Sequence, residues 1–304
     1  MNVQLETLDA SSSLSTLTDF MRWGASQFVE AGLSYSHGLS SPLDEAVYLV
    51  LRSLKLPVDT PEVYWGSKLT EAEKEAVFEV FRLRVEQRIP AAYIMKEGWF
   101  AGLQFYVDER VLVPRSPIAE LVEAQFTPWV NPDEVETVLD LCTGSGCIGI
   151  ACAYAFPTAM VDLSDLSEDA LEVARINVDK HDAGNRVTVI RSDLFEGLGN
   201  KTYDIIVSNP PYVDTEDMQG LSAEFKHEPE LGLSSGSDGL DCTHKILKQA
   251  ASHLNDEGIL VLEVGNSQFA LAQAYPHVPF QWLEFERGGD GVFLLTKQHL
   301  EDHF

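Results

Sequence analysis

The stretch LDLCTGSGCIGIACA, Leu139 to Ala153, decides the fold. An apolar strand-like segment ends there, three glycines follow at positions 144, 146 and 149, and a helix-length run of small and apolar residues comes next. Gly-x-Gly-x-x-Gly between a strand and a helix is the turn at which a doubly wound sheet lets its backbone approach a nucleoside ligand. Taken alone it is equally a tight turn without a ligand. Asp140, just before the turn, separates two ligand readings. A pyrophosphate needs bare N–H groups and the positive end of the helix, and a carboxylate there repels it. S-adenosylmethionine instead carries an ammonium and a sulfonium, which Asp140 favours, while Gly144 and Gly146 permit close approach. Asp140, Thr143, Gly144, Ser145 and Gly146 are therefore candidate methyl-donor residues.

Outward from the turn, strand-like and helix-like segments alternate. Strands are expected at ETVLDL, MVDLSDL, VTVIRSD, DIIVSN, ILVLEVG, QWLEFE and GVFLLT, with helices at CIGIACAYAF, SEDALEVARINVDKH, LDCTHKILKQAASHL and SQFALAQAY. This alternation predicts an α/β fold with a doubly wound, mostly parallel sheet. The last two strands are joined only by RGGDG, so they should pair antiparallel. Asp165, at the end of the second strand, is placed to accept hydrogen bonds from ribose hydroxyls. Asp193, after the third strand, is placed to meet an adenine amino group, although a turn-forming aspartate is an equally good reading of that residue alone.

Residues 1–97 read as a helical domain for substrate recognition, with helices in TLTDFMRWGASQFVEAG, SPLDEAVYLVLRSL and LTEAEKEAVFEVFRLRVEQR; the last opens with a Thr70-to-Glu73 capping box. Residues 98–134 read as a linker of β-hairpin and helix, and residues 135–304 as the donor-binding catalytic domain.

The fourth strand ends in Asn209-Pro210-Pro211-Tyr212. Two successive prolines cannot donate ladder hydrogen bonds, so pairing stops there and the loop is stiff. The residue types suit methylation of a planar NH₂ group. The Asn209 side-chain oxygen and the Pro210 carbonyl can each accept one N–H, and Tyr212 can pack on the flat face. Asn209, Pro210 and Tyr212 are the candidate catalytic residues, and Pro211 joins them in holding substrate. Asn209 also borders the donor.

At these residues the chain resembles the HemK-type N5-glutamine methyltransferases, and within them the PrmB branch, which modifies a glutamine of large-subunit ribosomal protein L three. The resemblance rests on MRWGASQF, YVDERVLVPRSPIAEL, LDLCTGSGCI, SNPPYVD, HEPELGLSSGSDGLD, LEVGNS and LEFERGGDGVFLLT, and so runs over nearly the whole chain. It implies a class I S-adenosylmethionine-dependent methyltransferase fold, Rossmann-like with a seven-stranded mostly parallel sheet, behind an N-terminal helical domain. It implies S-adenosylmethionine as cofactor, a basic ribosomal protein as partner and the residue roles given above; the expectation that this protein is met before assembly is a separate hypothesis, since the ribosome would bury its glutamine. The release-factor branch usually carries Pro-Arg-Pro where this chain has Pro114-Arg115-Ser116-Pro117, and glycine where it has Cys142. Both departures count against release factors as substrate. HEPELGL, residues 227–233, reads by its residues as a surface loop with no mechanism of its own, while the resemblance places it near the substrate, shaping the pocket.

With 48 acidic against 21 basic residues the formal net charge is −27, which repels phosphate and attracts basic partners. An adenine-N6 methyltransferase on DNA or RNA, which shares the Asn-Pro-Pro-Tyr stretch, is thereby disfavoured. A donor-binding module without catalysis is disfavoured by the intact stretch itself. Cys142, Cys147, Cys152 and Cys242 have no zinc spacing, so no metal is expected. The absence of a long apolar run and of a signal-peptide pattern in MNVQLETLDASSS predicts a cytoplasmic protein with no membrane contact. Oligomeric state is left open.

Overall fold

A computed structural model describes residues 12–35 and 37–304. Most of MNVQLETLDASSS therefore lies outside the described residues. The chain divides into two compact units, Met1–Glu97 with Ser222–His227, and Gly98–Leu221 with Glu228–Phe304.

The first unit contains helices α1 (Leu17–Glu30), α2 (Pro42–Ser53), α3 (Glu71–Glu86) and α4 (Ala91–Met95). Three of these starts are visible locally. Thr16 and Asp19 form a reciprocal capping box on α1, Ser41 caps α2 with Pro42 at the first helical position, and Thr70 and Glu73 close the box expected on α3. Phe20, Phe28, Leu49, Leu51 and Phe81 fill the core. Gly24 lets α1 approach α3, since a Cβ there would lie 2.4 Å from the Phe81 ring.

Inside this unit Arg84 is only 1% exposed. Its guanidinium donates to Glu45 (2.6 Å), to Glu224 (3.1 Å) and to the Ser34 carbonyl (2.7 Å), and Arg88 donates to the same Glu224 oxygen at 3.1 Å. Glu224 thus anchors Ser222–His227, a segment that the linear reading assigned to the catalytic domain.

The second unit opens with the hairpin β1 (Gly98–Phe100) and β2 (Leu103–Phe105), followed by irregular chain and α5 (Ile118–Glu123). The hairpin is shorter than the aromatic and β-branched composition of residues 99–115 suggests. Then come β3 (Thr137–Leu141), α6 (Cys147–Ala155), β4 (Met160–Asp165), α7 (Glu168–Lys180), β5 (Val187–Arg191), β6 (Tyr203–Ser208) and α8 (Thr215–Gly220). The chain finishes with α9 (Asp241–Ala250), β7 (Leu254–Glu263), α10 (Gln268–Ala274), β8 (Gln281–Trp282), β9 (Val292–Thr296) and α11 (Lys297–His303). The seven strands lie in the order β5-β4-β3-β6-β7-β9-β8, with β9 antiparallel to both its neighbours and the other pairings parallel.

Both sheet faces are covered, which is why the central strands read as nearly continuous apolar runs. Val138, Ile205 and Val261 face one core with Ile150 of α6 and Ala174 of α7. Their neighbours Leu139, Ile206 and Leu260 face the other core with Ile246 of α9 and Leu271 of α10.

Arg84→Ala is expected to lower the stability of the first unit by about 3–5 kcal/mol, because it leaves two buried carboxylates without their shared cation. Urea unfolding followed by tryptophan fluorescence measures this; an unchanged midpoint would show that the cluster is dispensable.

Candidate active site

The order of the sheet makes β3 the switch point, since its neighbours β4 and β6 are reached in opposite directions, and a crevice forms outside the carboxyl ends of strands at such a point. Parallel register sets Leu141 opposite both Ser164 of β4 and Ser208 of β6. The glycine turn, Asp165 and Asn209 therefore leave the sheet at one level. The cavity there is lined by Thr143, Gly144, Ser145, Asp165, Asp193 and Asn209, together with Pro211, Tyr212 and residues 110–116.

The turn is held by hydrogen bonds that account for most of its residue types. Thr143 donates its hydroxyl to Asp140 Oδ2 at 2.5 Å, and the Gly149 N–H donates to the same oxygen at 2.8 Å. Gly144 donates its N–H to Asp165 Oδ2 at 2.9 Å, and Asp165 Oδ1 accepts the Ser167 N–H at 2.9 Å. The Ser145 carbonyl accepts from Asn177 of α7 at 2.8 Å.

The three glycines have different jobs. Gly146 caps α6 at φ +81°, a left-handed conformation that glycine adopts without strain. Gly149 exists for packing, because a Cβ there would lie 2.1 Å from Leu163 Cδ2 and 2.9 Å from Asp140 Cβ. At Gly144, with φ +54°, a Cβ would meet nothing within 4 Å, so this backbone faces open cavity. An approachable backbone with Asp165 and Asp193 in the same wall fits an adenosyl group carrying positive charge.

Asp140 and Pro210 come to the site without forming part of its wall. Asp140 is fully buried beneath the turn, and its Oδ1 has no hydrogen-bond partner among the described residues. Burial pushes its carboxyl up to about 7, against the bonds from Thr143 and Gly149 and with help from the charge of Asp165. Burial raises Asp165 as well. Asp140 therefore does not reach the cavity, and its direct work is to tie the turn to the start of α6. Asp193 is exposed at the rim.

The Asn-Pro-Pro-Tyr stretch enters the same cavity through Asn209, Pro211 and Tyr212. Tyr212 donates its hydroxyl to Glu263 Oε1 at 3.0 Å, and Ser116 donates to the other oxygen of Glu263 at 2.5 Å. Next to the lining residue Pro229, Glu228 is buried. It accepts the Val113 N–H at 3.0 Å and both arms of the Arg115 guanidinium at 2.5 and 2.8 Å. Gly232 continues this strap, since a Cβ there would lie 2.1 Å from Leu112 Cδ1. HEPELGL is thus a wall element bolted to VLVPRS, not a free surface loop.

Two curated relatives match almost end to end. Both are ribosomal protein uL3 glutamine methyltransferases: one from Francisella tularensis, 46% identical over 99% of this chain and 96% of its own, and one from Neisseria gonorrhoeae, 51% identical over 96% and 97%. The chain belongs to the uL3 glutamine methyltransferase family. The methyltransferase small domain model matches residues 126–230, the span that holds the glycine turn and Asn209-to-Tyr212. The resemblance drawn from the motifs and the class I methyltransferase fold both stand. For this family member, sequence reasoning missed Glu228 and Glu263 as site elements. Acidic residues inside apolar runs, as in LVLEVG, are their only local signal.

Gly149→Ala is expected to destabilise the second unit by about 1–3 kcal/mol through overpacking against β4, whereas Gly144→Ala meets no clash, costs about 1 kcal/mol through its left-handed backbone and weakens S-adenosylmethionine binding. Thermal unfolding and calorimetric titration of each variant separate the two effects. Equal melting losses with equal affinities would refute this division of roles.

Proposed function

We propose that this chain transfers a methyl group from S-adenosylmethionine to the side-chain amide nitrogen, N5, of a glutamine in ribosomal protein uL3. The observation that carries the reading is that the glycine turn after β3 and Asn209 after β6 open into one cavity from neighbouring strands in register. The near-full-length relatives, by their printed activity, support the substrate.

Asp165, Asp193 and the Gly144 backbone would hold the donor, which supplies an electrophilic methyl on a cationic sulfur. An amide nitrogen is a poor nucleophile because its lone pair is delocalised into the carbonyl. The Asn209 side-chain oxygen accepts one N–H inside the cavity and the Pro210 carbonyl, which lies behind the wall, would take the other once the glutamine is seated, fixing the plane of the amide, while Tyr212 packs on its face and Pro211 stiffens the loop. With both N–H bonds held, the nitrogen lone pair is fixed along the normal to the amide plane, and with Tyr212 on one face only the opposite lobe is open to the methyl group. Alignment is the main catalytic contribution of these side chains. The surplus proton leaves to solvent after transfer, so no strong base is needed.

The acidity is unevenly distributed. Residues 98–304 carry 34 acidic against 12 basic side chains, and residues 1–97 carry 14 against 9. The catalytic part is therefore the one that draws a basic protein, and the helical unit adds recognition. We place the reaction in the cytoplasm, on uL3 before assembly, with no direct contact to nucleic acid.

The test is transfer of labelled methyl from S-adenosylmethionine to unmethylated free uL3, with assembled large subunits and a release factor as parallel acceptors. Label is expected on free uL3 alone, and Asn209→Ala should lower kcat/KM by about 10²-fold or more through lost alignment. Label confined to the release factor would move the chain to the other branch.

Raising salt from about 50 to 500 mM should raise KM for uL3 several-fold and leave KM for S-adenosylmethionine nearly constant, because only the protein partner meets the long-range field. A salt-independent KM for uL3 would remove the recruiting role of the acidic surface.

A further inference from the structure

Tyr212 is held at each of its polar ends and along its ring. Its hydroxyl donates to Glu263 Oε1 at 3.0 Å, and its carbonyl accepts the Ser267 hydroxyl at 2.9 Å. Gly265, at φ +44°, lies against the ring so closely that a Cβ would fall 2.6 Å from Cε2 and 2.9 Å from Cζ. Gly291, at φ +72°, lies against Gly265 in turn, with a Cβ position only 2.3 Å from the Gly265 carbonyl oxygen. Gly239, at φ +74°, closes on the Tyr212 carbonyl, where a Cβ would fall 2.2 Å from the oxygen. The motifs SSGSDGLD, LEVGNS and RGGDGVF, which carry no chemistry of their own, thus converge on one tyrosine.

Glu263 is the polar centre of this seat. It is the last residue of β7, is buried, and takes Tyr212 on one oxygen and Ser116 on the other. Ser116 also accepts the Ile118 N–H at 3.1 Å, which ties the loop before α5 into the same network. We propose that Glu263 is a positioning residue for methyl transfer: by accepting both hydroxyls it fixes the ring of Tyr212 against which the acceptor amide is aligned. This rests on the reading that Asn209 to Tyr212 hold that amide.

The residue type follows from donor and acceptor counting. A carboxylate offers two acceptor oxygens and no donor, so it satisfies two hydroxyls at once. Glutamine offers one acceptor and an NH₂ that faces the second hydroxyl donor, so one of the two bonds must be lost or reversed. The charge has a counterweight nearby, since Arg115 acts on Glu263 against the burial that raises its carboxyl. Burial and Glu263 together hold the Tyr212 hydroxyl firmly protonated.

The experiment compares Glu263→Gln, Tyr212→Phe, the double variant and Ser116→Ala in methyl transfer to uL3, with S-adenosylmethionine affinity measured separately by calorimetry. Glu263→Gln is expected to lower kcat on the order of tenfold to a hundredfold and to leave donor affinity within about twofold. The double variant should be no slower than the slower single variant, because both remove one interaction. Full activity in Glu263→Gln, or penalties that simply multiply in the double variant, would overturn the proposal. If Glu263→Gln does not fold, non-additivity between Ser116→Ala and Tyr212→Phe carries the same test, and multiplying penalties there overturn it too. Asn209→Ala run alongside keeps the two readings apart. An active Asn209→Ala sinks the amide-holding reading, whereas an inactive Asn209→Ala beside a fully active Glu263→Gln sinks only the role of Glu263.

Discussion

Leu141 of β3 lies directly opposite Ser208 of β6, and the Ser208 hydroxyl donates to the Leu141 carbonyl at 2.6 Å. The site depends on this pairing. Parallel strands end on the same side of a sheet, so the turn beginning at Cys142 and the loop beginning at Asn209 leave side by side. A slip of one residue would turn each apolar side chain of β6 to the other face of the sheet and lift Asn209 out of level with the turn. The two cores on either face, built from alternate residues of the same strands, hold the register against such a slip.

Around that register the site is assembled from buried acids with defined partners. Asp140 ties the turn to the first helical residues behind it, Glu228 joins HEPELGL to the segment before α5, and Glu263 joins Tyr212 to Ser116. Each carboxylate accepts two or more hydrogen bonds, which offsets the cost of removing its charge from water. Three acids perform three structural connections, and the cavity they surround suits a cationic ligand. The first unit uses the same device, with Arg84 and Arg88 gripping Glu224.

Much of this was legible in the linear sequence because it is local. The capping box at Thr70, the strand-turn-helix at Gly144, the stop at Pro210 and the seven strands each depend on residues within a few positions of one another. The motifs also carried the family, which near-full-length relatives at 46% and 51% identity bear out. The roles inside HEPELGL and LEVGNS were not legible, because Glu228 meets Arg115 across 113 positions and Glu263 meets Ser116 across 147.

By itself, then, the sequence determined the class of fold, the place of the donor turn and the stretch proposed to hold the acceptor, through periodicity, glycine conformation and proline chemistry that act over a few residues. Tertiary structure alone decided that Asp140 lies beneath the cavity and not in its wall, that Ser222–His227 belongs with the helical unit, and that Gly239 and Gly265 close on Tyr212 with Gly291 packed behind Gly265. These follow from which distant segments the sheet order brings together, and nothing in the spacing along the chain encodes that close approach.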